Sequence, residues 1–237
     1  MGISPLSMLQ TSAPLERLRA RHLVLEPTAP SLPFGLAALD ALLPDGGLPR
    51  GAVVELCAAS GLGQSTRLAL AACGAAQRQA GDHARLGRHG AWCAWIDVSS
   101  ALFAPGVVRA GVELERLLVL RPRPEMVTRL AVRLAASQLF SVLVVERVGV
   151  PGTGLELPRA RWELTTRRLA LALEGSECTV VLLSSLARAR AEQLPVALRL
   201  ELTRPEHEQL QVRVSKERHG RLRGPERIAL GWEGCAA

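Results

Sequence analysis

The chain has 237 residues, of which 48% are hydrophobic, and it carries a net charge of +7. This length suits one α/β domain with a sizeable core, which must be built from Leu, Val and Ala because the chain has three Phe, four Trp and no Tyr. The positive charge is compatible with contact to DNA or to an acidic partner, and equally with an ordinary solvated surface, so it selects no function by itself.

The cysteines and the N-terminus argue against several other classes of protein. The five cysteines are scattered, form no C-x-x-C pair and have no histidine at zinc-like spacing. We therefore expect no metal site, and interpret the cysteines as reduced thiols of a cytoplasmic protein. No apolar run is long enough for a signal peptide or a membrane span, so no membrane association is predicted.

Residues 1–30 predict an N-terminal arm, and residues 31–237 predict one core domain. The arm is rich in Pro and Arg and has one short helix candidate at 15–21. In the core, short apolar strands alternate with helical patterns. The predicted strands are 52–56, 92–98, 117–120, 142–145 and 179–183, the predicted helices are 66–80, 105–110, 125–139 and 159–173, and loops are predicted at 81–90, 149–158 and 186–195.

This alternation indicates an α/β fold with a mostly parallel, twisted sheet flanked by helices. From residue 196 the hydrophobic period changes towards two, which predicts antiparallel strands on the C-terminal side of the sheet, the last near 228–232. On the last helix of the alternating run, the pattern assigns Leu164, Leu169 and Leu171 to one side and the arginines elsewhere.

Residues 57–66 follow the pattern of a phosphate-binding loop but lack its charge. The segment reads Cys-Ala-Ala-Ser-Gly-Leu-Gly-Gln-Ser-Thr, follows an apolar strand and opens an apolar helix. In the pattern G-x-x-x-x-G-K-[ST], Ala58 stands for the first glycine and Gln64 for the lysine that contacts the β and γ phosphates. The only lysine of the chain is Lys216, so this loop has no lysine to bind phosphate.

Other parts of the loop pattern are retained. Gly63 keeps the turn glycine, and Ser65 and Thr66 keep the hydroxyl groups. Together with Gln64, the two hydroxyl residues predict a helix cap, and an anion held at the helix N-terminus is the alternative. We interpret these residues as the relic of a nucleotide site and predict no bound cofactor.

The C-terminal third is basic, but acidic residues are interleaved with its arginines, which is typical of a solvated surface. Its best candidate for phosphate contact is an exposed hairpin within 216–227, where glycines lie beside Arg221 and Arg223. No aromatic residues accompany this hairpin as a stacking platform. Contact with DNA is therefore predicted to be independent of sequence and sensitive to salt.

The segment 36–56 resembles the opening of the RecA ATPase core. It reads LAALDALLPDGGLPRGAVVEL, close to the family pattern LD..LG.GGLP.G.I.EI, and the phosphate-loop pattern follows directly. Later segments resemble further strands of that core in the same order: 94–97, 114–122, 141–146 (Walker B), 196–204 and 214–218. The resemblance covers about residues 31–230 and implies a RecA-like core.

Two catalytic positions of that core differ in this chain. The glutamate that polarises water in active members of the family falls on Ser99, two residues after Asp97. Glu146 keeps a carboxylate at the Walker B aspartate position. The resemblance therefore implies that no residue is catalytic. It also places Lys216 and Arg218 where filament-forming relatives hold basic residues against a neighbour's nucleotide.

Among RecA-like families with these losses, the chain most resembles the ImuA family of accessory factors in bacterial damage-induced mutagenesis. The resemblance implies a non-catalytic regulator of the SOS response, cytoplasmic and nucleoid-associated. Such a regulator binds RecA and links it to a translesion synthesis complex containing the polymerase-like protein ImuB, with DNA as a further candidate partner. Leu15 and Leu18 in the arm resemble, by position, the segment that relatives use to dock on the next subunit.

Two alternatives are open. One is a weak DNA-dependent ATPase of the RecA family, in which Arg67 or a neighbour's Lys216 replaces the missing lysine. The other is a cell-division inhibitor of the SulA type, which uses a similar degenerate core to bind FtsZ.

Overall fold

Eight strands form a single mixed sheet in the part of the chain that the structure describes. The computed structural model of the protein describes residues 31–59, 63–84, 91–147, 158–206 and 209–229. The strands are β1 (Ala52–Ala58), β2 (Trp92–Ile96), β3 (Leu117–Leu120), β4 (Phe140–Glu146), β5 (Thr179–Ser185), β6 (Leu198–Glu206), β7 (Gln209–Glu217) and β8 (Arg223–Ala229). The helices are α1 (Ala37–Leu42), α2 (Gly63–Ala84), α3 (Ala104–Arg109), α4 (Val127–Ala136), α5 (Arg159–Ala172) and α6 (Leu186–Glu192).

The order of the strands places β1 in the interior of the sheet. The strands lie in the order β3–β2–β4–β5–β1–β6–β7–β8. The pairs from β3 across to β6 are parallel, and β7 and β8 add antiparallel pairs at one edge. A helix lies in each connection between successive parallel strands, because such a connection must cross back to the same edge. This architecture confirms the predicted fold class.

Both faces of the sheet are buried along its central strands β1, β4 and β5, which explains why these strands are largely apolar. In β1, Val54 and Leu56 pack in one core with Leu68 of α2, whereas Val53 packs in the other core with Trp162 of α5. Successive side chains of a strand point to opposite faces, so a strand covered on both sides favours apolar residues at every position. The carboxyl ends of β1 to β6 lie together at one edge, called here the carboxyl edge.

A short helix occupies the segment that the sequence predicted as the last loop. In α6, Leu186 and Ala189 are buried in a small cluster with Cys57 of β1. The hydroxyl of Ser185 accepts a hydrogen bond from the Arg188 N–H at 3.3 Å and caps the helix. The loop prediction was wrong because a helix of two turns is too short to show a hydrophobic period.

The buried face of α5 also differs from the predicted one. Trp162, Thr166 and Leu169 are buried at helical spacing, whereas Leu164 and Leu171 are 51% and 65% exposed. Leu169 therefore lies on a different face of α5 from Leu164 and Leu171, so the assignment of the three leucines to one side was wrong. On the buried face, Leu169 is joined by the side chain of Trp162.

The described residues were also compared with the expectations for disulfides, metal sites and membrane spans. Cys57, Cys73, Cys93 and Cys178 are buried and unpaired. Within the described ranges, no group of side chains has the composition of a metal site, and no helix is both long and apolar enough to cross a membrane. The predicted arm at residues 1–30, with Leu15 and Leu18, lies outside the described residues.

Candidate functional site

The relic phosphate loop joins the end of β1 to the start of α2. Ala58 is the last residue of β1 and is buried, and the three residues before α2 are outside the described ranges. Gly63 is the first residue of α2, so Gln64, Ser65 and Thr66 lie within its first turn rather than before it. Ser65 is fully buried, and the Oε1 atom of Gln64 is buried without a hydrogen-bond partner among the described atoms.

The first turn of α2 has an amide where an active phosphate loop has a positive charge. The next cation along the helix is Arg67, whose pKa is lowered by burial and also by repulsion from Arg204. Two guanidinium groups therefore lie near the start of α2, and neither replaces the lysine at its own position.

Glu146 ends β4 with both of its carboxylate oxygens hydrogen-bonded. Oε1 accepts a bond from the indole N–H of Trp95 at 3.3 Å, and Oε2 accepts one from the Ser99 backbone N–H at 3.0 Å and one from the Ser99 hydroxyl at 2.6 Å. The structure thus brings together Ser99 and Glu146, the two positions that the RecA resemblance assigned to catalysis. Sequence reasoning missed Trp95, because a tryptophan in an apolar strand gives no sign that its N–H reaches a carboxylate.

Asp97 follows β2 directly and shapes the loop that carries Ser99. Its buried carboxylate accepts hydrogen bonds from the backbone N–H groups of Ala101 at 3.0 Å and Leu102 at 3.4 Å. It also accepts a bond from Nε of Arg121 at 2.9 Å, which ties the loop to the end of β3. Arg121 was not singled out from the sequence, although it is the first residue after a predicted strand.

Both carboxylates lie at the carboxyl edge of the sheet, where open α/β sheets bind ligands. Their oxygens are already bonded to donors of the same chain. Magnesium at Glu146 would compete with Ser99 and Trp95 for the lone pairs of the carboxylate. A serine hydroxyl is also a far weaker base than a carboxylate at neutral pH, so Ser99 is poorly suited to activate water. The arrangement fixes the loop after β2 to the end of β4.

Known proteins are similar to this chain in sequence. No family model matches the chain. The RecA protein of Brucella anthropi is 30% identical over 168 residues, which cover 66% of this chain and 44% of that protein. The RecA protein of Rhodospirillum centenum is 31% identical over 182 residues, covering 72% and 47% respectively. The RecA protein of Thermus thermophilus is 36% identical over 128 residues, covering 53% and 34%.

The chain is a RecA-fold relative. The mostly parallel sheet flanked by helices, with antiparallel strands at its C-terminal end, fits this similarity. The chain spans less than half the length of these relatives, so the similarity concerns a core and not the rest of those proteins.

A second cluster of charges is buried on the opposite face of this RecA-like sheet. Glu55, in the middle of β1, accepts hydrogen bonds from Nη1 of Arg147 at 2.7 Å, from the Ser184 hydroxyl at 2.7 Å and from Nε of Arg199 at 2.8 Å. All four side chains belong to buried residues. Sequence reasoning missed this cluster, although a glutamate and an arginine that interrupt apolar strands were visible signals.

Arg147 connects this cluster to α6. Its Nη2 pairs with Glu192, and its guanidinium lies 4.9 Å from the ring centroid of Trp162. Its backbone carbonyl accepts a bond from Arg188 at 3.4 Å. The short helix is therefore fixed to the sheet by charge as well as by its small apolar cluster.

Lys216 and Arg218, predicted as a subunit contact or a surface charge, differ in their surroundings. Lys216 is half-buried and donates a hydrogen bond from Nζ to the carbonyl of Leu194 at 2.9 Å. Its pKa is lowered by burial and by the nearby charge of Arg199. Arg218 is exposed, so of the two it is the residue presented to solvent.

The hairpin formed by β7 and β8 holds the two arginines predicted to contact phosphate, Arg221 in its turn and Arg223 at the start of β8. Arg221 forms a bidentate pair with Asp45, both distances being 2.8 Å, and also contacts Glu217 at 3.1 Å. These carboxylates raise the pKa of Arg221. Arg223 is exposed and makes no ion pair with any described residue. Of the two, Arg223 is therefore the one available to phosphate.

The outer edge of the RecA-like sheet presents apolar side chains to solvent. On the edge strand β3, Leu118 and Val119 are both exposed. Beside the strand is a cleft of about 280 Å³ lined by Leu102, Ala104, Val107, Leu114, Leu117, Val119 and Arg121. Phe103, which adjoins two of these residues in sequence, is 70% exposed. The edge strand and this cleft are together called the β3 face. Sequence reasoning did not predict it.

Proposed function

We propose that the protein is a non-catalytic, RecA-like regulator of the SOS DNA-damage response, which binds RecA and links it to an ImuB-containing translesion synthesis complex. The observation that carries the proposal is the engagement of Glu146 by Ser99 and Trp95, in a site with Gln64 in place of lysine. Nucleotide hydrolysis needs positive charge on the phosphates and a carboxylate available to metal or water. A core without these groups still has surfaces through which it can regulate a partner.

The β3 face supports RecA binding as the mode of action. An edge strand has backbone N–H and C=O groups without partners on its outer side. An extended segment of another chain can pair with them and insert an apolar side chain into the adjoining cleft. RecA is the proposed partner because the two proteins share a core, and a chain built on that core can take the place of a RecA subunit at a shared interface.

DNA is proposed as a second ligand, held at the hairpin formed by β7 and β8. Arg218 and Arg223 are exposed there, and arginine contacts to phosphate position a protein on nucleic acid without reading its sequence. Such binding should weaken steeply as salt is raised, because each phosphate contact releases counterions.

Binding of the purified chain to the RecA of its host tests the proposal. The affinity is measured with and without single-stranded DNA and a non-hydrolysable nucleotide. Val119→Glu should weaken binding by about tenfold or more, because it places a charge in the apolar cleft of the β3 face. Leu139→Glu is the matched control, since Leu139 is 70% exposed and lies outside that face.

Two results would contradict RecA binding through the β3 face. One is no binding in any condition, and the other is an equal loss of affinity in both variants. Polar replacement of Leu15 and Leu18 tests separately whether the arm contributes a contact.

A weak ATPase is the second candidate function, favoured by the two guanidinium groups of Arg67 and Arg204 near the start of α2. In that case Arg67→Ala and Glu146→Ala should each abolish ATP turnover by the purified protein. Our proposal instead expects the unmodified chain to hydrolyse ATP no faster than its Glu146→Ala variant.

A further inference from the structure

The helices α4 and α5 carry most of the net positive charge of the chain. α4 has Arg129 and Arg133 and no acidic residue. α5 has four arginines and one glutamate. The two helices therefore have a net charge of +5, compared with +7 for the whole chain. The excess of arginine is local to one surface rather than spread evenly.

A groove of about 470 Å³ runs between these two helices. Arg129, Arg133 and Arg168 line it, together with the apolar side chains of Val132 and Leu164. Leu164 is 51% exposed, although it is an apolar residue of a helix that packs on the sheet. The groove thus combines positive charge with an apolar contact surface.

Three of the arginines that line the groove have no acidic partner among the residues that the structure describes. Arg129, Arg133 and Arg168 make no hydrogen bond or ion pair with any residue that the structure describes. Neighbouring arginines on α5 are engaged: Arg167 pairs with Glu163 at 2.8 Å. The groove therefore presents charges that the chain itself does not neutralise.

Arg161 also lines the groove but has a different role. Its Nη2 donates to the carbonyl of Glu125 at 2.6 Å, and its Nε donates to the hydroxyl of Thr128 at 3.2 Å. These bonds join α5 to the start of α4. The walls of the groove are therefore held in place by a residue that the proposed ligand does not need to contact.

We propose that the α4–α5 groove binds an acidic peptide segment of a protein partner. Carboxylates of the segment would pair with Arg129, Arg133 and Arg168, since guanidinium and carboxylate groups match in a bidentate geometry. An apolar side chain of the segment would contact Leu164 and Val132. This site is separate from the β3 face, and it does not depend on RecA being the partner there.

Nucleic acid fits the groove less well than an acidic peptide does. Single strands bind on aromatic side chains as well as on basic ones, and the tryptophan of α5, Trp162, is 1% exposed and faces the core. A phosphate backbone would also leave Leu164 without an apolar partner. A peptide supplies both the negative charges and the apolar side chain.

Fluorescence anisotropy with the full chain tests this site. The probes are labelled peptides of about 12 residues, rich in Glu and Asp, with one Leu or Phe placed at each position in turn. Matched peptides carry Gln and Asn in place of the acids, and an oligothymidylate serves as the nucleic-acid probe. We expect the best acidic peptides to bind at least about tenfold more tightly than their amide counterparts at low salt.

Two double variants with the same change of charge locate the site. The groove variant combines Arg129→Glu with Arg133→Glu, and the control combines Arg213→Glu with Arg227→Glu, two exposed residues of β7 and β8. The groove variant should weaken acidic-peptide binding by about tenfold or more, and the control by less than about twofold. Leu164→Asn should weaken the binding only of peptides that carry an apolar residue. This variant tests the apolar contact without altering the charge of the groove.

Three outcomes would overturn the proposal. Equal losses in both double variants would mean that the peptides respond to overall charge and not to the groove. If the groove variant no longer binds the oligothymidylate but still binds the acidic peptides, the groove is a nucleic-acid surface. Equal affinity for acidic and amide peptides would mean that the groove arginines do not pair with carboxylates of the ligand.

Discussion

The carboxylate of Glu55 is the centre of a buried charge cluster, and we expect substitution of this residue to destabilise the fold. It accepts bonds from Arg147, Ser184 and Arg199, all within the core. A buried ion pair is weak support for stability as a whole, because desolvation opposes the attraction between the charges. Removal of one partner is different, since the remaining charges stay buried without compensation.

Glu55→Gln should therefore lower the free energy of unfolding by about 3 kcal/mol or more. Urea denaturation at neutral pH measures the change. Glu163→Gln is the control, because its pair with Arg167 is exposed and should contribute less than about 1 kcal/mol. If the free energy of unfolding falls by the same small amount in both variants, Glu55 is not the centre of a tightly coupled cluster. Replacing both Glu55 and Arg199 with Met should lower the free energy of unfolding by less than the sum of the losses in the two single variants.

The sequence predicts the neighbours Ser99 and Glu146 better than it predicts the Glu55 cluster. The ends of parallel strands meet at one edge, so a RecA-like order of elements already places Ser99 near Glu146. Their hydrogen bond depends on the loop that Asp97 shapes, and no local pattern shows it. The bonds of Glu55 join residues 92 and 144 positions apart in the chain, beyond the reach of any periodicity.

The turn before β1 explains why the RecA-like opening segment has two adjacent glycines. Leu32 and Leu48 pair through two backbone hydrogen bonds of 2.8 and 2.7 Å. A Cβ atom on Gly47 would lie 2.6 Å from the backbone carbonyl of Leu32, whereas Gly46 has a φ of +70° and open space around it. Gly47 is required for close approach of two backbone segments, and Gly46 for its conformation.

Gly47→Ala should destabilise the protein by about 2 kcal/mol, because the backbone of Leu32 must move away from the added methyl group. Gly224→Ala, with nothing within 4 Å of its added Cβ, should change stability by less than about 0.5 kcal/mol. Thermal or urea unfolding of the two variants checks this. Equal changes in stability in the two variants would mean that the backbone bridge between Leu32 and Leu48 moves to accommodate the methyl group without loss of stability.

Strands of this fold were easier to predict than its short helix or its exposed faces. Burial on both sides gives β1, β2, β4 and β5 continuous apolar runs that stand out in the sequence. The helix α6 was missed because it is stabilised by tertiary contacts of Leu186 and by the charge cluster, not by its own period. The exposure of Leu164 could not be read from composition, since apolar residues also occur on protein surfaces.

The molecule as a whole keeps a RecA-like sheet while its carboxyl edge is engaged by its own side chains. Glu146 and Asp97 are bonded within the chain, and the first turn of α2 has Gln64 in place of a cation. Its remaining exposed features lie elsewhere: the β3 face is apolar, and the α4–α5 groove is basic. Two surfaces of different chemistry suit a protein that joins two partners.

Nucleotide should therefore have little effect on the stability of the folded chain. A ligand present at about 100 times its Kd stabilises the folded state by about 2.7 kcal/mol, which would raise the Tm of a domain of this size by about 5 to 10 °C. We expect ADP and a non-hydrolysable ATP analogue, each with magnesium, to raise the Tm by less than about 1 °C at millimolar concentration. The RecA of the host, heated under the same conditions, is the positive control. A shift of several degrees that Glu146→Ala removes would mean that Ser99 and Trp95 release the carboxylate when nucleotide binds, and would place the weak ATPase ahead of the non-catalytic regulator.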